Sequence, residues 1–543
     1  MTQCIVTDTR PHPLSTSRYP GMSQKGASAF RQKIPVIFLV LIIVMGTGVR
    51  AFRFGSVPPG LNQDEASLGY DAYAVLHYGV EHNGVRLPVV FPQYGSGMSG
   101  AITAYLSMPF IAWFGLTEAS TRMVNVVFGS LSIPILFLLI RKISDESTAL
   151  FGAFLLASSP WHIMLSRWGL DCNLFPALFL IGVYLFVLAW ERPRFLVASF
   201  AVFGLSLYAY GTAHFVVPIF LALSSAYLLW HERIRWRQLL PAAGLLLLIA
   251  LPAMLYVLVN RFQWPSIVTP LFTIPRLPAQ ARFMAMSSIF SAESLTSISS
   301  NFQALFHLLL TQNDGLIWNV IPQYGILYLF SMPLAVLGAV LTLSSSRNLR
   351  RFQPSMMMLL WLLAALALAG VLGGNINRLN ILFIPLIFLV AVAMRFLRPY
   401  PLVIATLIVT YLISFSSFTN AYFTTFPQQI GPAFFASLGA AINEASEGTG
   451  GTICVTDQVS MAEISVLFYR KMDPHAFSDT VQYQNPGADF QHARSFDRYI
   501  FGLENCQNVK VGAYIVHNDE VEPYANRGFD LRAFENYTVV FTK

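Results

Sequence analysis

Ile34-Pro35-Val36-Ile37-Phe38-Leu39-Val40-Leu41-Ile42-Ile43-Val44-Met45-Gly46-Thr47-Gly48-Val49 runs without a charge between Lys33 and Arg50. A helix needs about 20 largely apolar residues to cross the hydrocarbon core, and this run with its flanks supplies them. It contains no small-residue cleavage site through Val49, so it is expected to remain as a first membrane helix near residues 34–50. Similar runs recur at about 122–140, 148–165, 173–190, 195–212, 214–230, 238–259, 321–343, 355–373, 379–394 and 400–418. Only 11% of the 543 residues are charged and 55% are hydrophobic, where a soluble domain carries about 25% charge. The expected class is an all-α polytopic membrane protein.

One more apolar run, about 98–115, makes the number of crossings ambiguous, and charge resolves it. Loops on the cytoplasmic side carry the excess of Lys and Arg. The basic connections are the tail (Arg10, Arg18, Lys25, Arg31, Lys33), Arg141-Lys142, Arg192 with Arg194, Arg233/Arg235/Arg237, Arg347/Arg350/Arg351 and Arg395/Arg398. All fall on one side if 98–115 lies in the interface, which predicts about eleven crossings. Residues 1–33 are then a cytoplasmic tail, 34–419 the membrane domain, and 51–121 and 260–320 large outer loops. The net charge of +7 is spread over these short connections and not gathered into a patch, which argues against nucleic-acid binding.

After Thr419 the apolar runs stop. Residues 420–543 read as a small extracytoplasmic α/β domain, with strand-like Thr452 to Val455, Val511 to Val516 and Tyr537 to Thr542, and helix-like Ala462 to Lys471. Cys454 and Cys506 both fall in it, where an oxidising compartment permits a bridge, though spacing alone does not decide whether they meet.

This topology sends four polar clusters to the outer face. Asp64 and Glu65, in Leu61-Asn62-Gln63-Asp64-Glu65-Ala66, follow the turn-forming Val57-Pro58-Pro59-Gly60 and precede a helix-like stretch from Ala66 to Tyr78. Carboxylates at a helix start are often simple caps, but a deprotonated Asp at the membrane surface also suits a general base. Arg167 and Asp171 stand four apart, as a helical ion pair or as groups that orient an acceptor or hold a metal. Arg378, beside Asn375, Asn377 and Asn380, either snorkels or offers its planar fork to a phosphate. The long outer segment brings His307, Asn313 and Asp314, which suit a substrate entrance or an interfacial helix. His162, Tyr208, Tyr210 and His214 are polar handles near spans, of which His162 and Tyr210 are candidates for a pocket. No Walker A, Gly-x-Gly-x-x-Gly, His-Glu-x-x-His or Cys-x-x-Cys motif occurs.

Over roughly residues 34–400 these features resemble the GT-C glycosyltransferases, in particular bacterial family 39 members related to protein O-mannosyltransferases and to the aminoarabinose transferase of lipid A. The carriers are Asp64-Glu65, the Glu118 to Arg122 entry into the next crossing, Ser158-Ser159-Pro160-Trp161-His162 to Arg167 and Asp171, and Asn377-Arg378-Leu379-Asn380 followed by Pro385. The resemblance implies an inverting transfer of a sugar from a polyprenyl-phosphate donor to a protein, lipid or polysaccharide acceptor on the outer face of a bacterial plasma membrane. It implies Asp64 as base or acceptor-orienting group with Glu65 beside it, Asp171 as the second-loop acid, and an interfacial helix in the first outer loop. Arg378 and Arg167 would meet the donor phosphate, with Asn377 nearby, and a divalent metal such as Mg or Mn is left open. Relatives carry Lys-Pro-Pro or His-Pro-Pro in the first outer loop, whereas this chain has Tyr94-Gly95-Ser96-Gly97-Met98-Ser99-Gly100 there. Two other readings compete: a lipid or sugar transporter or flippase, and a transferase of the O-antigen polymerase or ligase type.

Overall fold

A computed structural model describes residues 24–95, 97–277, 294–348 and 350–542. The membrane part is a helical bundle: α1 Gln24–Ala51, α2 Gln63–Tyr78, α3 Ala101–Phe114, α4 Glu118–Ile143, α5 Glu146–Ser158, α6 Pro160–Ser166, α7 Asp171–Leu188, α8 Arg194–Ser206, α9 Ala213–Trp230, α10 Trp236–Phe262, α11 Ser294–Thr311, α12 Ser331–Ser345, α13 Met356–Val371, α14 Ile376–Leu379, α15 Phe383–Leu397 and α16 Pro401–Thr424. Among the described residues, α1, α4, α7, α9, α10, α14 with α15, and α16 are each long and apolar enough to cross a membrane. The chain is therefore a multi-pass membrane protein.

Two expected spans take a different form. The run 148–165 is broken, because Ser159 caps a new helix that opens on Pro160 and α5 meets α6 at 60°. The expected span 321–343 is helical only from Ser331, because residues before it run through turns. The ambiguous run 98–115 is the 14-residue α3. At 1.5 Å per residue it covers about 21 Å, short of a hydrocarbon core of about 30 Å, and it leaves Trp113 and Phe114 exposed at its end.

The basic connections gather at one end of the bundle. Arg141, Lys142, Glu191, Arg233 and Arg351 line one cavity of about 700 Å³ with Trp190 and Phe352, and Arg395 pairs with Asp145 at 3.3 Å. Asp64, Asp171 and Arg378 lie at the opposite helix ends, as loop-by-loop alternation requires.

Beyond α16 come the short helix α17 Phe426–Ile430, then α18 Leu438–Gly448, α19 Ala462–Arg470 and α20 Pro474–Thr480, with a seven-stranded sheet. Two short ribbons precede it in the chain, β1 Phe91–Gln93 with β2 Gly97–Ser99 and β3 Ile267–Val268 with β4 Thr273–Ile274. The sheet comprises β5 Thr452–Val455, β6 Gln482–Tyr483, β7 Ala493–Phe496, β8 Tyr499–Phe501, β9 Val511–His517, β10 Asp530–Ala533 and β11 Tyr537–Phe541, in the order β10-β11-β9-β5-β8-β7-β6. Central β5 runs parallel to both β8 and β9, which places it between crossover connections. Cys454 on β5 and Cys506 form a disulfide, with Cα atoms 6.3 Å apart.

The sheet unit docks on the connection between α1 and α4. Tyr70 of α2 donates its hydroxyl to the Met472 carbonyl (2.6 Å), Tyr469 donates to Glu118 (3.0 Å), and the Gln491 amide donates to the Tyr94 carbonyl (3.0 Å).

Within the bundle, α12 and α15 approach so closely that a Cβ at Gly338 would run into the Leu389 carbonyl. Gly338→Leu should therefore destabilise by about 1–3 kcal/mol or more through overpacking. Thermal unfolding in detergent checks this against Gly48→Leu, whose site has open space and whose midpoint should stay near that of the wild type.

Candidate active site

The local sequence explains how the acidic pair is presented. Asn62 caps α2 by accepting the Glu65 amide (3.0 Å). Asp64 and Glu65 thus sit in the first turn but are not needed as caps, and their side chains serve elsewhere.

Glu65 is completely buried against Arg122, itself completely buried. Arg122 donates from Nε to Oε1 (2.8 Å) and from Nη2 to Oε2 (3.0 Å), a bidentate pair. Its remaining donors reach the carbonyls of Phe54 (3.3 Å), Pro58 (2.8 Å) and Gly60 (2.6 Å). Glu65 Oε1 also accepts the Gly169 amide at 2.6 Å. One carboxylate and one guanidinium therefore join the entry to α2, the start of α4 and the loop before α7. Both oxygens of Glu65 are engaged in holding these three segments, in contrast to the expectation that Glu65 works beside Asp64 in the chemistry.

The 167–171 loop is fixed from several further sides. Asn125 donates to the carbonyls of Trp168 (2.6 Å) and Leu170 (2.9 Å), Asn173 to Trp168 (3.1 Å), and Asn380 to the Cys172 carbonyl (2.7 Å). At the loop's end Asp171 is buried. Its Oδ1 accepts the Cys172 amide (2.7 Å) and its Oδ2 the Gly100 amide (2.7 Å). The Gly100 contact explains the unusual stretch Tyr94 to Gly100: β1 and β2 pair as a tight ribbon, and Gly100 packs so closely on the Ala209 carbonyl that no side chain fits. In place of a basic phosphate contact, this loop delivers a backbone donor to Asp171.

Asp64, partly buried, acts electrostatically on Asp171, Cys172, Tyr94 and Tyr210. Burial and that neighbouring charge push the Tyr94 hydroxyl well above its ordinary pKa, so it stays protonated and donates to the Gln63 carbonyl (2.8 Å). Tyr210 also feels Arg378. Asp64, Asp171, Tyr210 and Arg378 are thus close enough at one end of the bundle for their charges to interact. Arg378 stands on α14, whose cap is Asn375 (3.0 Å to the Arg378 amide), and its Nη1 donates to the Gly373 carbonyl (3.1 Å). Asn377 lies one residue away and is partly buried.

Two further expectations need correction. Arg167 faces no open phosphate site: it donates to the carbonyls of Val49 (2.8 Å), Arg50 (2.8 Å) and Val57 (3.0 Å) and lies over the Phe423 ring at 4.8 Å. A cation satisfying the last carbonyls of α1 is a helix C-terminal cap. His162 is no pocket residue either. Its Nδ1 meets the buried Arg50 guanidinium at 2.7 Å, and since Arg can only donate, Nδ1 is the acceptor and the imidazole is neutral. Arg50 also bonds the carbonyls of Gly46, Leu156 and Ala157, which fills the backbone gap left by the break between α5 and α6.

His307, Asn313 and Asp314 do line a cavity, of about 530 Å³, with Thr311, Gly374 and Asn375. It opens beside the loop that carries Arg378. Asp314 itself accepts the Ile376 amide (2.9 Å) and the Asn319 side chain (2.7 Å), so it supports α14. Asn125 is not among the residues the sequence points to, and Arg122 and Asn380 enter there as carriers of the resemblance, without the partners found here. A charge or amide inside an apolar run was the available signal, since such groups are rare there and need partners.

Residues 100–259 match the model of a family described as dolichyl-phosphate-mannose-protein mannosyltransferase. A dolichyl-phosphooligosaccharide-protein glycotransferase 2 of Pyrococcus horikoshii is 29% identical over 143 residues, 24% of this chain and 17% of that protein. The chain thus spans under a fifth of that curated relative. Among solved structures, ArnT from Cupriavidus metallidurans in the apo state superposes with a TM-score of 0.54 at 12% identity, covering 94% of this chain and 98% of that one. The archaeal oligosaccharyltransferase AglB from Archaeoglobus fulgidus, in complex with an inhibitory peptide and a dolichol-phosphate, gives 0.52 at 13% identity over 91% and 70%. The membrane fold is therefore shared with these solved structures.

Removing one partner of a buried ion pair leaves an uncompensated charge and costs about 3–5 kcal/mol, whereas removing both costs less than the sum. Arg122→Met and Glu65→Gln should each lower the unfolding midpoint sharply, and the double variant should fall by less than the two together. A thermal-unfolding double-mutant cycle reads the difference.

Proposed function

We propose that this protein is a membrane glycosyltransferase that moves a sugar from a polyprenyl-phosphate carrier to an acceptor at the extracytoplasmic face, with inversion. The observation that carries the reading is the meeting of Asp64, Asp171, Tyr210 and Arg378 at one end of a bundle whose fold matches ArnT along 94% of the chain. The same fold in complex with undecaprenyl phosphate, again ArnT, matches with a TM-score of 0.50 over 95% of the chain.

The chemistry follows from the charges. The sugar–phosphate bond is already activated, so the protein has to align an acceptor hydroxyl opposite it, take the proton and stabilise the departing phosphate. Asp64 is the base. Asp171, held by two backbone amides, orients the acceptor. Arg378 offers a fork-shaped cation to the phosphate, and the cavity lined by His307 and Asn313 is the approach for the donor. A single displacement with a base and no enzyme nucleophile inverts the anomeric centre. Where a divalent ion such as Mg or Mn binds, Asp64 and Asp171 are the carboxylates to hold it, and it adds positive charge beside the leaving phosphate.

The membrane is read as a bacterial plasma membrane, with the N-terminus and basic loops inside and the sheet unit outside. The three shorter apolar helices α8, α12 and α13, together with the bent α5–α6 pair, bring the crossings to eleven. A C-terminal alkaline phosphatase fusion should be active and a cytoplasmic reporter at the same point silent; the reverse pattern contradicts the topology.

With undecaprenyl-phosphate sugars as donors, Asp64→Asn should lose transfer by about 100-fold or more, the usual worth of a positioned base, while keeping the wild-type unfolding midpoint. Arg378→Lys should retain partial activity, because charge survives and the bidentate fork does not. A wild type that neither binds nor consumes any polyprenyl phosphate overturns the proposal.

A further inference from the structure

Asp71, Glu81 and His82 form a second polar cluster in the first outer loop. Asp71 lies two turns of α2 beyond Asp64, about 10 Å along the helix. Gly79 then ends α2 in the left-handed region (φ +77°), and the chain doubles back. This return carries Glu81 and His82 over the side of α2 that bears Asp71. Exposure is 0% for Asp71, 0% for Glu81 and 4% for His82.

The three groups converge on one point. His82 Nδ1 stands 2.7 Å from Asp71 Oδ1 and 3.1 Å from Glu81 Oε2, and one ligating atom from each residue lies within 4.8 Å of the others. Surrounding bonds hold all three in place. Glu81 accepts the amides of Asn83 (2.9 Å) and Val85 (3.0 Å), Asp71 accepts the His82 amide (3.1 Å) and Ser67 Oγ (3.3 Å), and the far ring nitrogen of His82 meets Asn83 (2.9 Å). Such outer partners fix ring and carboxylate orientation at metal centres.

Charge points the same way. Two buried carboxylates face one imidazole, and among the described residues no lysine or arginine forms an ion pair with any of the three. A third buried carboxylate, Glu463 on α19 of the sheet unit, acts on His82 electrostatically. Excess negative charge in an interior is costly unless a cation accompanies it.

We propose that Asp71, Glu81 and His82 bind a divalent transition-metal ion, zinc by their one-nitrogen, two-carboxylate donor set, with the remaining position open to water. The ion is structural: it clamps the return of the first outer loop onto α2 beneath the sheet unit. It is separate from any ion at Asp64 and Asp171.

The test uses the full-length protein in detergent. Metal content is measured by mass spectrometry as purified, after chelation, and after addition of Zn²⁺, with thermal unfolding followed alongside. The expected result is about one zinc per chain, lost with a lower unfolding midpoint on chelation and regained with Zn²⁺ but not Mg²⁺. Asp71→Asn and His82→Ala should lose both the ion and the Zn²⁺-dependent shift, and Asp64→Asn should keep both. If the His82 variant does not fold, the wild-type measurements decide alone. Wild type without stoichiometric metal and without a Zn²⁺ shift overturns the proposal, as does an ion that survives His82→Ala and disappears with Asp64→Asn.

Discussion

The buried ion pair between Glu65 and Arg122 is the constraint on which the outer face depends. Both side chains are fully removed from solvent, so each charge is tolerable only while the other is present. The pair gathers three carbonyls of the 54–60 turn and the Gly169 amide around itself. With the turn before α2 and the 167–171 loop locked together in this way, the adjacent Asp64 is held where its charge acts on Asp171. The carboxylate beside Asp64 is taken up in holding these segments together, so two residues that adjoin in sequence have different surroundings.

Other buried cations extend the same logic into the membrane. Arg50 and Arg167 spend their donors on backbone carbonyls at the end of α1 and at the break between α5 and α6. A bent helix pair and a helix end cannot satisfy their own backbone in an apolar surrounding. Guanidinium groups supply the missing donors, and the cost of burying their charge is lowered by the many acceptors that surround them. The result is a rigid platform under Asp171, on which the Gly100 amide and the Asn380 side chain close from the other side.

Much of the architecture is legible in the residues, because hydropathy reports helix length directly and the Arg and Lys residues of the connections mark one end of the bundle. Most apolar helices lie at the expected positions, with 148–165 broken and 321–343 helical only from Ser331, α3 is a short helix between α2 and α4, and the strands around Cys454, Val511 and Tyr537 pair in one sheet. What could not be read was partnership. Arg167 and Arg378 look alike in sequence, each a lone Arg at a helix end, yet one is consumed by three carbonyls and the other lies beside Tyr210. His162 looked like a pocket residue because its partner, Arg50, is 112 positions away. The Tyr94 to Gly100 stretch looked like the loss of a phosphate contact, and its positive role, a backbone donor to Asp171, depends on a close approach of Gly100 to Ala209 that no local pattern announces.

In the proposed function, Asp64, Asp171 and Arg378 surround a polyprenyl phosphate at the extracytoplasmic helix ends. A cryo-electron microscopy map of the protein in nanodiscs with undecaprenyl phosphate tests it most directly. Density for the phosphate is expected against the Arg378 guanidinium, with the lipid tail leaving past His307 and Asn313 and Asp64 facing the space where an acceptor would lie. Phosphate density at the basic end, beside Arg233 and Arg351, or a bundle with no lipid phosphate at all, would contradict it.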